Sequence, residues 1–522
     1  MLKKLHGRKL AVCLIGGAMY ALFSAFGWQA EHGGVIWAGG ALLVAALLVW
    51  PIAALLAVLL ERGYTRALRR EKTFRAGRAF AFILACYVPM FCVAFPGSFA
   101  YDVPYQLRQV VTGAYSTHHP LLHTLALGGL LQLGRALGDI NLGAALYTAL
   151  QMALLAGCFA LTCGSIARQS GARAAKRAAV FFALYPLNMV MAVNATKDVL
   201  FGGFFALTLA LLNEIQEKPS RGLALKIAAC GALAVMLRNN MAYAALVWLA
   251  LLTIGLRKGE KSAALAMLLA LAVGLCGNAA LKRATRAENG DMSEMLSWPI
   301  QQLARARLYD EERLTDAEKE AIDELMPGEA WACYDPTISD PVKFEFDTQT
   351  FRADVKKYVG VWLSVGKKCA GTYLDATMAL TYPFFYPYRE YRVSGYYVQM
   401  GMSDAYDAGW CDFDPPESRS LFPQALASLS WRFGAKGAMQ IPVVGWLFNM
   451  GVIVWTMLFF ALREMYWGRW RRFGTALLPV LLWGTFLLGP VMAGRYIYPF
   501  VCALPVLAAR PGRSVKEAER HG

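Results

Sequence analysis

Residues 121–138 read LLHTLALGGLLQLGRALG, a run as apolar as a membrane-crossing helix. Whether it crosses decides how the rest of the chain is threaded. If it did, the basic run RQSGARAAKR (168–177) and every later basic run would switch sides. That outcome opposes the retention of Lys and Arg on the cytoplasmic face. A re-entrant or interfacial helix keeps the charge pattern consistent, and His123, Arg135 and the glycines of the run suit an interface better than lipid.

The surrounding composition sets the class. Of 522 residues, 57% are hydrophobic and only 17% are charged, with a mean hydropathy of +0.39. Soluble domains carry about 25% charged residues. Runs such as GGALLVAALLVWPIAALLAVLL (39–60), LGAALYTALQMALLAGCFALTCG (142–164) and SAALAMLLALAVGLCGNAAL (262–281) reach the length a bilayer requires. Spans are expected near 10–28, 35–60, 79–95, 141–166, 177–193, 198–214, 222–237, 241–256, 262–280, 438–462, 474–491 and 496–510. No cleavable signal peptide is expected.

The net charge of +16 comes from short basic runs between apolar segments, at 1–9, 61–78, 168–177, 217–226, 257–261, 463–474 and 510–520. This is the pattern of cytoplasmic loops and gives no support to nucleic-acid binding. Both termini then fall on the cytoplasmic side. Residues 281–436 differ: they hold 24 of the 36 acidic residues but only 18 of the 52 basic ones. They read as an inserted, mostly helical extracytoplasmic domain, with Thr315 or Asp316 capping a helix. The aromatic run TYPFFYPYREYRVSGYYVQM (381–400) reads as an irregular interfacial segment. The fold class is an all-α polytopic membrane protein of about 12 transmembrane helices plus interfacial or re-entrant helices. Its parts are an N-terminal transmembrane module (1–280) with an outer loop at 96–138, the inserted domain (281–436), and a C-terminal transmembrane module (437–522) with a cytoplasmic tail. Cys333, Cys369 and Cys411 lie in the inserted domain, where one disulfide among them is open.

The outer loop, FPGSFAYDVPYQLRQVVTGAYSTHHP (95–120), concentrates polar chemistry. Pro96 and Gly97 end the preceding helix, Pro104 admits a short one, and Gly113 closes it. His119 and Pro120 open the next helix, so Asp102 and the histidines can approach across a hairpin. Asp102 is the only acid between Glu71 and Asp139. Tyr101 and Tyr105 flank it, and their rings would shield it and raise its basicity. His118 and His119 are candidates for the same site; His123 is read as packing. A metal held by Asp102 with the histidines is disfavoured, because the proline breaks the helical register, and no cofactor is expected.

Other polar groups fall at the same level. NATKD (194–198) places Lys197 and Asp198 at an outer turn, RNN (238–240) places Arg238, Asn239 and Asn240 at another, and GRYIYP (494–499) places Arg495 and Tyr496 at a third. Cations on the outer face run against the charge rule and are therefore informative. Arginine's planar fork suits phosphate. SDPVK (339–343) reads as a turn with Asp340 capping.

The ordered set FPG, YD, YQ, HHP, KDVLF, RNN, SWPIQQLAR, SDPVK and GRYIYP, from about residue 80 onward, resembles bacterial integral-membrane glycosyltransferases of GT-C type that use polyprenyl-phosphate sugars. The resemblance implies a catalytic acid in the first large outer loop, matched by Asp102. It implies donor-phosphate contacts at outer helix ends, matched by Lys197, Arg238, Arg495 and Tyr496. Tyr101, Tyr105, Gln106, His118, His119, Asp198, Asn239 and Asn240 become substrate-site candidates. The implied partners are a polyprenyl-phosphate sugar donor, membrane lipids and an extracytoplasmic acceptor, in a bacterial plasma membrane. The single YD lacks the paired acids of some branches. The alternatives are a lipid-linked glycan polymerase or ligase, a transporter or flippase of an anionic or lipid-linked solute, and a non-catalytic scaffold.

Overall fold

The computed structural model describes residues 5, 7–32, 39–62, 73–100, 102–253, 258–387, 400–402, 415–434, 441 and 443–510. Among them all regular structure is helical apart from isolated β-bridges. The first twelve helices are α1 Arg8–His32, α2 Gly39–Arg62, α3 Ala76–Ala94, α4 Val103–Thr112, α5 Leu121–Ala136, α6 Ile140–Ser170, α7 Ala172–Leu184, α8 Pro186–Ala192, α9 Lys197–Glu217, α10 Arg221–Leu237, α11 Asn240–Thr253 and α12 Lys258–Thr285. Then come α13 Ser297–Tyr309, α14 Asp316–Leu325, α15 Asp340–Phe344, α16 Thr348–Ala353, α17 Val355–Lys368, α18 Ala370–Thr381 and α19 Pro423–Gly434. The chain closes on α20 Met450–Tyr466, α21 Trp470–Leu487 and α22 Tyr498–Ala508. Six described helices are long and apolar enough to cross a membrane: α1, α2, α3, α6, α9 and α12.

The run at 121–138 forms α5, a 16-residue helix packed against α6. His123 of α5 meets Tyr147 of α6 at 2.9 Å, while Gly134 packs against the backbone of Gly143. A long stretch of α5 thus overlies barely one turn of α6, so the two helices cross steeply. A Cβ on either Gly134 or Gly143 would strike backbone, which is why both are glycine at this crossing. α5 lies across the start of α6 and not along it. α4 folds back onto α5, ended by Gly113 in the left-handed conformation (φ 70°).

Two expected boundaries shift. The helix anticipated at 177–193 is broken at Tyr185–Pro186 into α7 and α8. Proline removes an amide and biases its predecessor to extended backbone. The helix anticipated at 438–462 begins at Met450, where Asn449 accepts from the Val452 amide at 3.0 Å.

Residues 292–373 gather around a core of their own, including Ile300, Ile322, Val342 and Val365. Thr315 caps α14 in a reciprocal box with Glu318. In SDPVK the N-cap is Ser339, not Asp340. Asp340 instead lies in the first turn and binds the buried Lys343 at 2.6 Å, as does Glu294 at 2.6 Å. The described part of the aromatic run is also not a surface feature. Tyr382, Phe384, Phe385 and Tyr386 are buried in the main bundle core. Cys333 and Cys369 are free thiols, and Cys411 lies outside the described residues.

This second core, with the segment at Glu288 that leads into it, is tied to the bundle by hydrogen bonds that include the following. The Thr117 amide bonds the Glu288 carbonyl at 2.9 Å, the Ser339 amide bonds the Pro490 carbonyl at 2.9 Å, and the Trp298 indole bonds the Leu487 carbonyl at 2.7 Å.

Candidate functional site

The turn carrying Asp102 is pinned to the turn before α9. The Ser98 amide bonds the Val193 carbonyl at 2.9 Å, and the Ala195 amide bonds the Ser98 carbonyl at 2.8 Å. A buried relay fixes the same turns from below. Gln106 of α4 contacts His123 and Thr124 of α5 at 2.9 and 3.0 Å. His123 meets Tyr147, and Tyr147 donates to Gln151 at 2.9 Å. Gln151 in turn donates to the carbonyls of Ala192 and Asn194 at 3.0 and 2.8 Å. Gln106 and His123 thus support the site without a hydrogen bond from their side chains to the Asp102 carboxylate; the Gln106 amide bonds the Asp102 carbonyl at 3.0 Å.

At the centre, Lys197 Nζ donates to Asp102 Oδ2 at 3.0 Å. Arg495 lays its fork over both oxygens, Nη1 to Oδ2 and Nη2 to Oδ1, each at 3.3 Å. His119 Nδ1 lies 3.7 Å from Oδ2 and makes no hydrogen bond. The Asp102 side chain is 23% exposed, more open than its three neighbours. Asp102 is the N-cap of α4, yet its side chain makes no capping bond.

Beside it lies a second pair. Asp198, fully buried, forms an ion pair with Arg238 and accepts from Thr196 at 3.3 Å. Arg495 Nε is 3.9 Å from Asp198 Oδ2, which links the two clusters. Arg238 lies over the rings of Phe486 and Tyr496, at 4.4 and 4.5 Å.

The electrostatics reverse one expectation. Burial pushes the Asp102 carboxyl up, but the charges of Arg495 and Lys197 outweigh it and hold the group well below the usual carboxylate range. Tyr105 does not shield it, being 57% exposed, and Tyr101 lies outside the described residues. Burial, with the Lys197 charge, pushes His119 down to about 3, so the ring is neutral.

Of the remaining candidates, His118 is exposed and stacks edge-on against His119. Asn239 is exposed, and Asn240 donates to Thr485 at 3.2 Å, tying α11 to α21. Arg238 is committed to Asp198 and two rings, which sets it apart from Lys197 and Arg495. Phe486 was not expected here; only its apolar run marked it. Among the described residues no three His, Cys, Asp or Glu side chains gather as metal ligands.

The arrangement can bind an anion through Lys197 and Arg495, and it holds a carboxylate where a proton can be taken. No curated protein and no solved structure matches the chain. One family model does match, over residues 111–521, a span that includes His119, Lys197 and Arg495 and begins after Asp102. Covering well over half of the chain, that match makes the protein a member of DUF6020, a family of unknown function.

Proposed function

We propose that this protein is a membrane glycosyltransferase of GT-C type, moving a sugar from a polyprenyl-phosphate donor to an extracytoplasmic acceptor with inversion. The observation carrying this reading is the convergence of Asp102, Lys197 and Arg495 at one end of the bundle. Asp102 takes a proton from the acceptor hydroxyl as its oxygen attacks the anomeric carbon. The bond from that carbon to the phosphate oxygen breaks, and Lys197 and Arg495 stabilise the charge left on the lipid phosphate. The phosphate is a good leaving group, so a weak base suffices. The donor's prenyl tail lies in lipid.

In this reading the helices beyond the six long ones, including the shorter apolar Asn240–Leu252 and Gly494–Ala508, complete about twelve spans in a bacterial plasma membrane. Both termini are cytoplasmic, and the 292–373 core lies on the outer face with Asp102. The second core supports a transferase over a transporter, since it grips both the His118–His119 loop and the Pro490 turn beside Arg495. An acceptor bound there is presented to Asp102.

The test is transfer of a labelled sugar from polyprenyl phosphate in membranes holding wild type or Asp102→Asn at equal expression. General-base loss predicts a fall of roughly 10²–10⁴-fold. Equal transfer by both removes Asp102 from the mechanism and moves the polymerase or ligase reading forward.

A further inference from the structure

Lys197 and Arg495 do not offer their donors to open solvent. One lysine nitrogen and both terminal guanidinium nitrogens already meet on the two oxygens of Asp102. This is the two-pronged grip that Arg gives carboxylate and phosphate alike. A phosphate held in that same two-pronged geometry has to take the place of the carboxylate. Arg238 is no substitute, because Asp198, Phe486 and Tyr496 enclose it. Asp102 also has somewhere else to go. It is the N-cap of a ten-residue helix and makes no capping bond; Pro104 has no amide and the Val103 amide bonds the Ala100 carbonyl, so the second seat is the positive end of the α4 dipole and not a hydrogen-bonded cap.

We propose that Asp102 occupies the phosphate seat of Lys197 and Arg495 as a built-in stand-in, and that a phosphate ester, the donor's diester or the prenyl monoester it leaves, displaces it onto the N-terminus of α4. The inference rests on the transferase reading and deepens it. While clamped between cations, Asp102 is a poor proton acceptor. Once the phosphate takes those cations, the carboxylate is freed beside the acceptor. Donor binding and base activation then become one event. The neutral His119 ring, 3.7 Å from Asp102 and without a hydrogen-bond partner on Nδ1, adds no charge that would hold the carboxylate back.

The experiment measures binding of farnesyl phosphate and of inorganic phosphate to the full-length protein in detergent, for wild type, Asp102→Asn, Asp102→Ser and Lys197→Gln. Removing the stand-in should tighten both ligands by about ten- to a hundredfold, the gain expected when a seat open a tenth to a hundredth of the time becomes always open. Lys197→Gln should weaken both. Equal gains for the two ligands assign the effect to the phosphate itself. A gain confined to farnesyl phosphate would overturn the stand-in in favour of a change in the tail site. Unchanged or weaker binding by folded Asp102→Asn or Asp102→Ser overturns displacement while leaving the transferase reading intact. Failure of both variants to fold overturns it too, since a displaceable carboxylate is not an indispensable counter-ion. No binding of either ligand by wild type or variants sinks the phosphate reading itself.

Discussion

α9 begins at Lys197 and Asp198 and, roughly 25 Å further along, carries Glu214. Charge is buried at both places, in different ways. At the Glu214 end the buried carboxylates are closely paired with arginine. Glu214 takes two nitrogens of Arg168 at 2.5 and 2.8 Å and Ser165 Oγ at 2.7 Å. Glu464 takes two nitrogens of Arg463 at 2.9 and 2.6 Å and one of Arg469 at 3.2 Å. The cations there also staple chain ends, Arg463 to the Leu507 carbonyl and Arg472 to that of Ala509, each at 2.7 Å. At the Lys197 end three cations share two carboxylates, and one neutral imidazole makes no bond through Nδ1. Cations outnumber carboxylates at both ends; what sets the Lys197 end apart is the partly open Asp102 carboxylate beside an imidazole whose Nδ1 makes no hydrogen bond, an arrangement equipped to receive an anion.

The largest effect should come from the buried pair at the active end. Asp198→Ala strands Arg238 in the interior and should cost about 3–5 kcal/mol, read as a lowered unfolding temperature in detergent. Asp198→Ala combined with Arg238→Met should recover most of it. A neutral single variant would erase the distinction between Asp198 as structural and Asp102 as displaceable.

Acid should sharpen the comparison next. Burial, with the Lys197 charge, holds both His119 and His123 at about 3, against an ordinary 6.5. Below pH 6.5 the unfolded chain binds protons that the folded chain refuses, so stability must fall as pH drops from 6.5 toward 3. The loss is about 2 kcal/mol per ring at pH 5. Asp102 has the opposite history: its lowered value supports the fold above the ordinary carboxylate range and is lost only when pH falls through the folded value. The slope between pH 7 and 5 therefore belongs to the imidazoles, and His119→Asn should remove about half of it. An unchanged slope would mean that His119 is not held neutral.

The smallest effect is expected at the Glu214 end. Arg168 is 56% exposed, so Glu214→Gln should cost less than about 1 kcal/mol and leave sugar transfer at the wild-type rate. A large loss of transfer there would break the assignment of the two ends.

Much of the architecture is legible in local chemistry. Pro104 and Gly113 bracket α4 because one lacks an amide and the other accepts positive φ. The apolar run at 121–138 announced a helix, and α5 forms there. The Asp102 turn stood out because acid is scarce around it. What local chemistry does not carry is pairing. Nothing near Arg238 announces that Asp198 and two rings will enclose it, whereas Arg495, of similar setting, reaches Asp102. Nor did the basic run at 463–474 reveal that Arg463 is a buried staple and Arg472 a half-buried one, and not solvated loop charges. The tyrosines beside Asp102 suggested a raised pKa; the sign was set by cations hundreds of residues away.

That distance has a consequence for how the protein is made. Arg495 follows Asp102 by 393 residues and Lys197 follows it by 95. At a synthesis rate of about 5–20 residues per second, Lys197 leaves the ribosome roughly 5–20 s after Asp102, and Arg495 roughly 20–80 s after it. For most of its birth the chain holds a carboxylate and one lysine but no guanidinium fork. A nascent chain stalled between α12 and α21 lacks the guanidinium fork over Asp102, and the cluster closes only when synthesis has passed Arg495.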